Sequence, residues 1–127
     1  MGSILLIDDQ PITNFINKKL FQRQGIEEGV KDFTDPNKAL EFLQDQKKAL
    51  LFLDLNMPEM TGWEFLEKMK ELDLNFKTII LTSSTSALDK QKAENYESVI
   101  DYITKPLSIE KFSKLSVSIE DYSYKST

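Results

Sequence analysis

Histidine and cysteine are both absent from the 127 residues. Without cysteine there is no disulfide and no thiolate zinc site. Without histidine there is no Ser-His-Asp catalysis, no imidazole ligand and no imidazole acid or base. A metal here has to take oxygen ligands, which favours magnesium, calcium or manganese. No apolar run reaches the length of a membrane span, and no signal peptide opens the chain, so the expected compartment is the cytoplasm. Basic residues are in the minority, 16 Lys plus Arg against 21 Asp plus Glu, for a formal net charge of -5. No Arg/Lys-rich run is present either, so binding to nucleic acid through a basic face is not expected.

What the chain does contain is a series of short apolar runs. An apolar share of 40% and a charged share of 29% suit a globular protein. The length suits one domain over residues 1–127 with no second, output domain. The stretch Leu50-Leu51-Phe52-Leu53 shows no alternation, as in a strand buried on both faces, and it ends on the single carboxylate of Asp54. Pro58 and Gly62 then turn the backbone.

Ser3 to Ile7 is a similar run, ending on Asp8-Asp9, with Gln10 and Pro11 breaking it. Ile12, Phe15, Ile16 and Leu20 recur at helical spacing and predict the apolar face of a first helix, with Asn17, Lys18 and Lys19 opposite and a stop near Gly25. Gly29 to Phe33 predicts a short edge strand. Asp35-Pro36 reads as the cap and first position of a second helix, striped by Ala39, Leu40 and Leu43. A third helix is expected from about Thr61, turning Phe65, Leu66, Met69 and Leu72 inward. Lys77 to Thr82 predicts the fourth strand, and Ser86 the cap of a polar fourth helix from Ala87 to about Asn95 with Ala87, Leu88 and Ala93 as its stripe. Val99 to Ile103 predicts the fifth strand. Phe112, Leu115, Ile119 and Tyr122 predict the apolar face of a last helix, and the polar tail from Ser123 to Thr127 is expected to fray. Strand and helix alternate five times, which argues for a parallel sheet with helices on both faces.

Four features then fall at the carboxyl ends of four strands: Asp8-Asp9, Asp54, Thr82-Ser83 and Lys105. In open α/β sheets ligands bind there. Alone, each has a plainer reading. The acidic pair is more often a turn or helix cap, Asp54 a strand-end cap, Lys105 a solvated charge, and Thr82 and Ser83 turn formers. Capping does not require all four in one fold, so their joint occurrence favours a site. Two like charges ~4 Å apart repel by roughly 4 kcal/mol at an effective dielectric of about 20, and a hydrated magnesium ion held by one or two carboxylates relieves this. Metal, ammonium and hydroxyl together can bind the three equatorial oxygens of a phosphoryl group in transfer, with a carboxylate oxygen of Asp54 as nucleophile.

These residues resemble a known family, the receiver domains of two-component response regulators. The resemblance covers nearly the whole chain and rests on Ile7-Asp8-Asp9, on Asp54 within Leu53-Asp54-Leu55-Asn56-Met57-Pro58-Glu59-Met60-Thr61-Gly62, on Leu81-Thr82-Ser83 and on Lys105-Pro106. It implies a flavodoxin-like, doubly wound α/β fold: five parallel strands in the order 2-1-3-4-5, with five helices. It implies a stand-alone, chemotaxis-type receiver that takes a phosphoryl group onto Asp54 from a histidine kinase or histidine phosphotransfer protein and is not itself an enzyme. The implied cofactor is Mg2+, with Mn2+ as a substitute. Asp9 and Asp54 would be direct ligands, Asn56 would supply its backbone carbonyl, and Asp8 would act through water. Lys105 would contact the phosphoryl oxygens, and its peptide to Pro106 would be cis. Thr82 and Tyr102 would form the switch, turning a face made by the fourth helix, fifth strand and fifth helix toward new protein partners. The state implied is a monomer or a phosphorylation-dependent dimer, with no nucleic-acid or membrane partner. For the switch hydroxyl, spacing forward to Asp89 and Ala93 favours Thr82, while counting back from Lys105 favours Ser83. Thr82 is the choice, with Ser83 as the fallback.

Two other classes compete. An aspartyl-phosphate hydrolase of the haloacid dehalogenase type wants a carboxylate two residues after the nucleophile, where Asn56 stands. An interaction domain that kept the fold and lost the chemistry would not need the full acidic set and Lys105.

Overall fold

The computed structural model describes residues 2–120 and 124–125. Its elements are β1 (Ser3–Ile7), α1 (Pro11–Arg23), β2 (Ile26–Glu28), β3 (Val30–Phe33), α2 (Pro36–Leu43), β4 (Ala49–Leu53), α3 (Gly62–Glu71), β5 (Lys77–Thr82), α4 (Ala87–Ala93), β6 (Val99–Thr104), α5 (Ile109–Lys114), α6 (Ser116–Glu120) and β7 (Tyr124–Lys125). Five strands make one parallel sheet in the spatial order β3-β1-β4-β5-β6. With the short β2 left out of the count, this is the expected order 2-1-3-4-5.

Burial follows from position in the sheet. All five residues of the central β4 are buried, whereas the edge strand β6 has none. Because side chains alternate along a strand, the sheet carries two separate cores. Leu5, Ile7, Leu51, Leu53 and Ile80 pack under α2 and α3, against Leu40, Leu43, Phe65, Leu66 and Met69. Ile4, Leu6, Leu50, Phe52, Ile79 and Leu81 pack under α1, α5 and α6, against Phe21, Phe112, Leu115 and Ile119. Phe21 is central to the second core, with edge-on rings at 5.5 Å to Phe52 and 5.0 Å to Phe112.

Local signals set most helix starts. Asp35 accepts from Asn37 N and Pro36 opens α2. Thr61 and Glu64 form a reciprocal capping box on α3, and Ser86 and Ser108 cap α4 and α5. Each such cap contributes about 1 kcal/mol. Gly25, just past the end of α1, has φ 84°, which a residue with a side chain rarely adopts.

Four expectations need correction. First, α1 is rotated from the predicted face. Its buried residues are Asn14, Asn17 and Phe21, while Ile12, Phe15 and Ile16 are more than half exposed. A rotation that buried those three would pull Phe21 out of its two ring contacts and Asn14 away from the carbonyls it bonds at the ends of β1 and β3. Second, Leu72 and Leu88 point to solvent, and α4 ends at Ala93 with only that residue buried. Third, the last helix is broken at Leu115 into α5 and α6. Phe112, Leu115 and Ile119 are buried as expected, and Tyr122 lies outside the described residues. Fourth, within the tail expected to fray, Tyr124–Lys125 pairs antiparallel with β2. The other tail residues lie outside the described ones.

Phe21→Ala removes the ring that joins α1 to β4 and α5. A loss of about 3–5 kcal/mol is expected, read as a lower urea midpoint with little change in slope.

Candidate functional site

The sheet register brings the acidic residues together. β1 and β4 pair rung by rung up to Ile7 opposite Leu53. The ladder continues one residue further, with Asp54 N donating to the Ile7 carbonyl at 3.0 Å and Asp8 N donating to the Phe33 carbonyl at 3.1 Å. Alternation then sends both carboxylates to the side that buries Leu6 and Phe52, the side covered by α1. Asp8 and Asp54 are nearly buried, at 4% and 5% exposure, and Asp9 is half-buried. One oxygen from each of the three lies within 4.8 Å of the others.

Lys105 enters from the far edge strand. Its backbone N donates to the Thr82 carbonyl at 2.7 Å, tying β6 to β5. The peptide to Pro106 is cis, as the resemblance implied. Lys111 holds the same segment, donating to the carbonyls of Thr104 and Pro106. The Lys105 ammonium stands 2.5 Å from Asp8 Oδ2 and 3.4 Å from Asp54 Oδ2. The remaining oxygens are held by main-chain donors, Gln10 N on Asp8 Oδ1 at 2.9 Å and Asn56 N on Asp54 Oδ1 at 3.3 Å.

Burial pushes the Asp54 carboxyl above its usual range. The Lys105 charge opposes this, the Asp8 charge adds to it, and the upward push prevails. Burial alone would lower the Lys105 ammonium, but its hydrogen bond to Asp8 and the charges of Asp54 and Asp8 outweigh that, so it too is raised. Three carboxylates facing one ammonium leave two formal negative charges, the charge one divalent cation would balance. The donors are hard oxygens, and opposite ligands of a magnesium ion stand about 4.2 Å apart. Asp8, Asp9 and Asp54 are therefore hard-oxygen donors grouped closely enough to hold Mg2+ or Mn2+ directly or through water.

The remaining predicted residues lie at the rim or behind it. Asn56 is exposed. Thr82 is fully buried and its Oγ1 accepts from Ser84 N at 3.3 Å, whereas Ser83 is exposed. Tyr102 is half-buried, its hydroxyl donating to the Ser84 carbonyl at 3.0 Å. Ser84 Oγ in turn donates to Asp89 Oδ2 on α4 at 2.6 Å. Ser84 thus joins Thr82, Tyr102 and α4 at one point. Among the described residues no hydrogen bond or ion pair joins Thr82 or Tyr102 to Asp54.

Three supporting residues escaped the sequence reading. Asn14 donates through Nδ2 to the carbonyls of Asp8 at 3.0 Å and Phe33 at 3.2 Å. It went unseen because hydrophobic periodicity assigns polar residues to the outer face. Lys111 looks like any helical surface lysine. Gly62 was read as a turn signal and as the end of the motif around Asp54, but not for its packing, yet a Cβ there would meet the Asp54 carbonyl at 2.7 Å.

Gly62→Ala must therefore displace the backbone that carries Asp54. A loss of about 1–3 kcal/mol is expected, together with altered amide chemical shifts at Asp54 and Leu55. Asp54 yields a pH prediction. Its native pKa lies above the ordinary 3.8, so the folded chain keeps this proton at pH values where the unfolded chain has lost it. Its contribution to stability is greatest below that ordinary value and falls as pH rises through the native pKa. In metal-free buffer Asp54→Asn should raise the melting temperature at neutral pH, and the gain should vanish in acid below pH 3.8. Melting curves of both proteins across pH provide the check.

The site and fold have counterparts among known proteins. The family model of the response regulator receiver domain matches residues 4–116. Sporulation initiation phosphotransferase F of Bacillus subtilis is 29% identical over 110 residues, covering 85% of each chain. A two-component response regulator of Cytophaga hutchinsonii superposes with a TM-score of 0.78 at 27% identity, over 95% of this chain and 98% of that one. The Mn2+-bound form of response regulator Rcp1 does so with a TM-score of 0.72 at 26% identity, over 96% and 94%. Some curated relatives are much longer, and the chain spans 41% of one and 47% of another, both regulators by name. The match of fold, acidic cluster and family model has one reading: the chain belongs to the response regulator receiver domain family.

Proposed function

We propose that this chain is a stand-alone receiver that accepts a phosphoryl group onto Asp54 from the phosphohistidine of a histidine kinase or histidine phosphotransfer protein. Asp54 is the acceptor, Asp9 and Asp54 are direct metal ligands with the Asn56 carbonyl, Asp8 acts through water, and Lys105 holds the phosphoryl oxygens. The observation that carries this reading is the convergence of Asp8, Asp9, Asp54 and Lys105 from three strand ends. The Bacillus relative that the chain matches over 85% of its length is named a phosphotransferase, in keeping with phosphoryl transfer.

In the proposed step an Asp54 carboxylate oxygen attacks phosphorus. The bond from phosphorus to the donor's imidazole nitrogen breaks, and its electron pair stays on that nitrogen. The product is an acyl phosphate on Asp54 and a free imidazole. Lys105 is already placed beside Asp54 Oδ2 at 3.4 Å, so little rearrangement is needed for its ammonium to meet the incoming oxygens. Asn56 N keeps one carboxylate oxygen oriented. Burial on the α1 side limits water at the acceptor. A bound divalent ion would neutralise charge that develops on the phosphoryl oxygens.

The switch runs through Ser84. A shift of the Thr82 hydroxyl toward the phosphoryl group releases its bond from Ser84 N, and Ser84 also holds the Tyr102 hydroxyl and Asp89 of α4. The face of α4, β6 and α5 then changes its protein partners.

Incubation with a small acyl phosphate and Mg2+ should label the chain, and Asp54→Asn should abolish the label. Equal labelling of both would place the acceptor elsewhere and end this reading. Without phosphorylation, Mg2+ at a hundred times its dissociation constant should stabilise the fold by about 2.7 kcal/mol. Asp9→Asn should lose most of that gain, as read by melting curves with and without a chelator.

A further inference from the structure

We infer that Asn14 is a positioning residue for the acidic site, holding the Asp8 backbone directly and one carboxylate, that of Asp8 or Asp54, through one buried water. The inward stripe of α1 is Asn14, Asn17 and Phe21. A buried amide is costly unless its hydrogen bonds are made, so two asparagines on that stripe call for a use. Asn14 is 1% exposed.

Its amide has two N–H donors, and both are spent on main-chain carbonyls, those of Asp8 and Phe33. These carbonyls lie at the ends of two neighbouring strands: that of Phe33 also accepts the last ladder bond, from Asp8 N, and that of Asp8 lies one residue beyond it. Asn14 supplies the next rung and so fixes the peptide that carries Asp8. Because both partners are acceptors, the amide has only one sensible orientation. Its Oδ1 must face the other way, and there it has no hydrogen-bond partner among the described residues.

A small cavity lies against the same side chain. It measures about 10 Å³ and is lined by Asp8, Asn14, Asn17 and Asp54 together with Leu6, Ile7, Phe52 and Leu81. That is about the space one water-sized sphere fills. Asn14 Oδ1 and the two carboxylates are all acceptors, so an occupant must donate at least twice. Water has two O–H donors. A chloride ion has none, and a hydrated metal ion is too large. One hydrogen goes to Asn14 Oδ1 and the other to a carboxylate oxygen of Asp8 or Asp54, while the Asn17 amide can donate to the water oxygen. The water adds a second restraint on that carboxylate beside the main-chain donors Gln10 N and Asn56 N.

The part concerning metal rests on the proposed magnesium-dependent reading of the site, and the water does not. A high-resolution crystal structure of the metal-free, unphosphorylated protein should show an ordered water within hydrogen-bonding distance of Asn14 Oδ1 and of an Asp8 or Asp54 oxygen. A dry cavity, or a water that does not touch Asn14, overturns the inference. Two substitutions test the positioning. Asn14→Leu fills the space and removes every polar atom. It should weaken Mg2+ binding by about tenfold, as loss of a residue supporting metal ligands does, in a calorimetric titration. Asn14→Ser opens room for further water to reach the same carbonyls, so it should be less stable than Asn14→Leu yet bind Mg2+ more tightly. If affinity instead follows stability in both variants, or Asn14→Leu binds Mg2+ as the parent does, Asn14 only supports the fold. None of these readouts requires phosphorylation, and labelling of Asp54 is measured on the parent chain. Failure here and failure of the proposed function are therefore separable.

Discussion

Two carboxylates buried side by side, with a third close by, are the constraint that the rest of this structure answers. Asp8 and Asp54 sit beyond the ends of adjacent parallel strands because the register leaves them no other place. Their mutual repulsion in a poorly solvated setting is met in part by Lys105, which reaches both. Removing one partner of a buried charged group costs more than the pair contributes, because the survivor is left unpaired. The site is therefore held at a balance, with three carboxylates set against one ammonium.

The scaffold serves that balance with rigid parts on one side and fewer restraints on the other. β4 is wholly buried, and β1 nearly so, between two dense cores. The acidic side chains are thus carried at the ends of the two strands most enclosed by the cores. The opposite edge is different. β6 has no fully buried residue, and α4 has one buried side chain out of seven. Ser84 links these elements to Thr82 by single hydrogen bonds. A modest change at the strand ends can be felt there, since few packing contacts must be broken for α4 to shift.

Helix α1 shows how a site reshapes an element that would otherwise be ordinary. Its inward stripe is polar for two of three positions, and its apolar Ile12, Phe15 and Ile16 face solvent. Hydrophobicity alone would rotate the helix the other way. Phe21 decides the matter at one end by inserting between Phe52 and Phe112, and Asn14 decides it at the other by completing the sheet ladder. Gly62 makes a similar concession in α3, remaining without a side chain so that the backbone at Asp54 can approach.

Much of this was legible in the residues taken in order. Unbroken apolar runs announced the buried strands, since a strand covered on both faces has no polar side to alternate with. Asp35, Thr61 and Ser86 marked helix starts, because caps are local hydrogen bonds that need no distant partner. The strand-end placement of Asp8, Asp9, Asp54 and Lys105 was equally readable. What only the tertiary structure decided is everything that depends on how elements face one another. The rotation of α1, the break of the last helix at Leu115, the burial of Thr82 beside an exposed Ser83, and the pairing of β2 with Tyr124–Lys125 all belong there. Periodicity reports that a segment has two sides. Which side turns inward is settled by long-range packing and by backbone groups left unpaired at strand ends, and neither is visible along the chain.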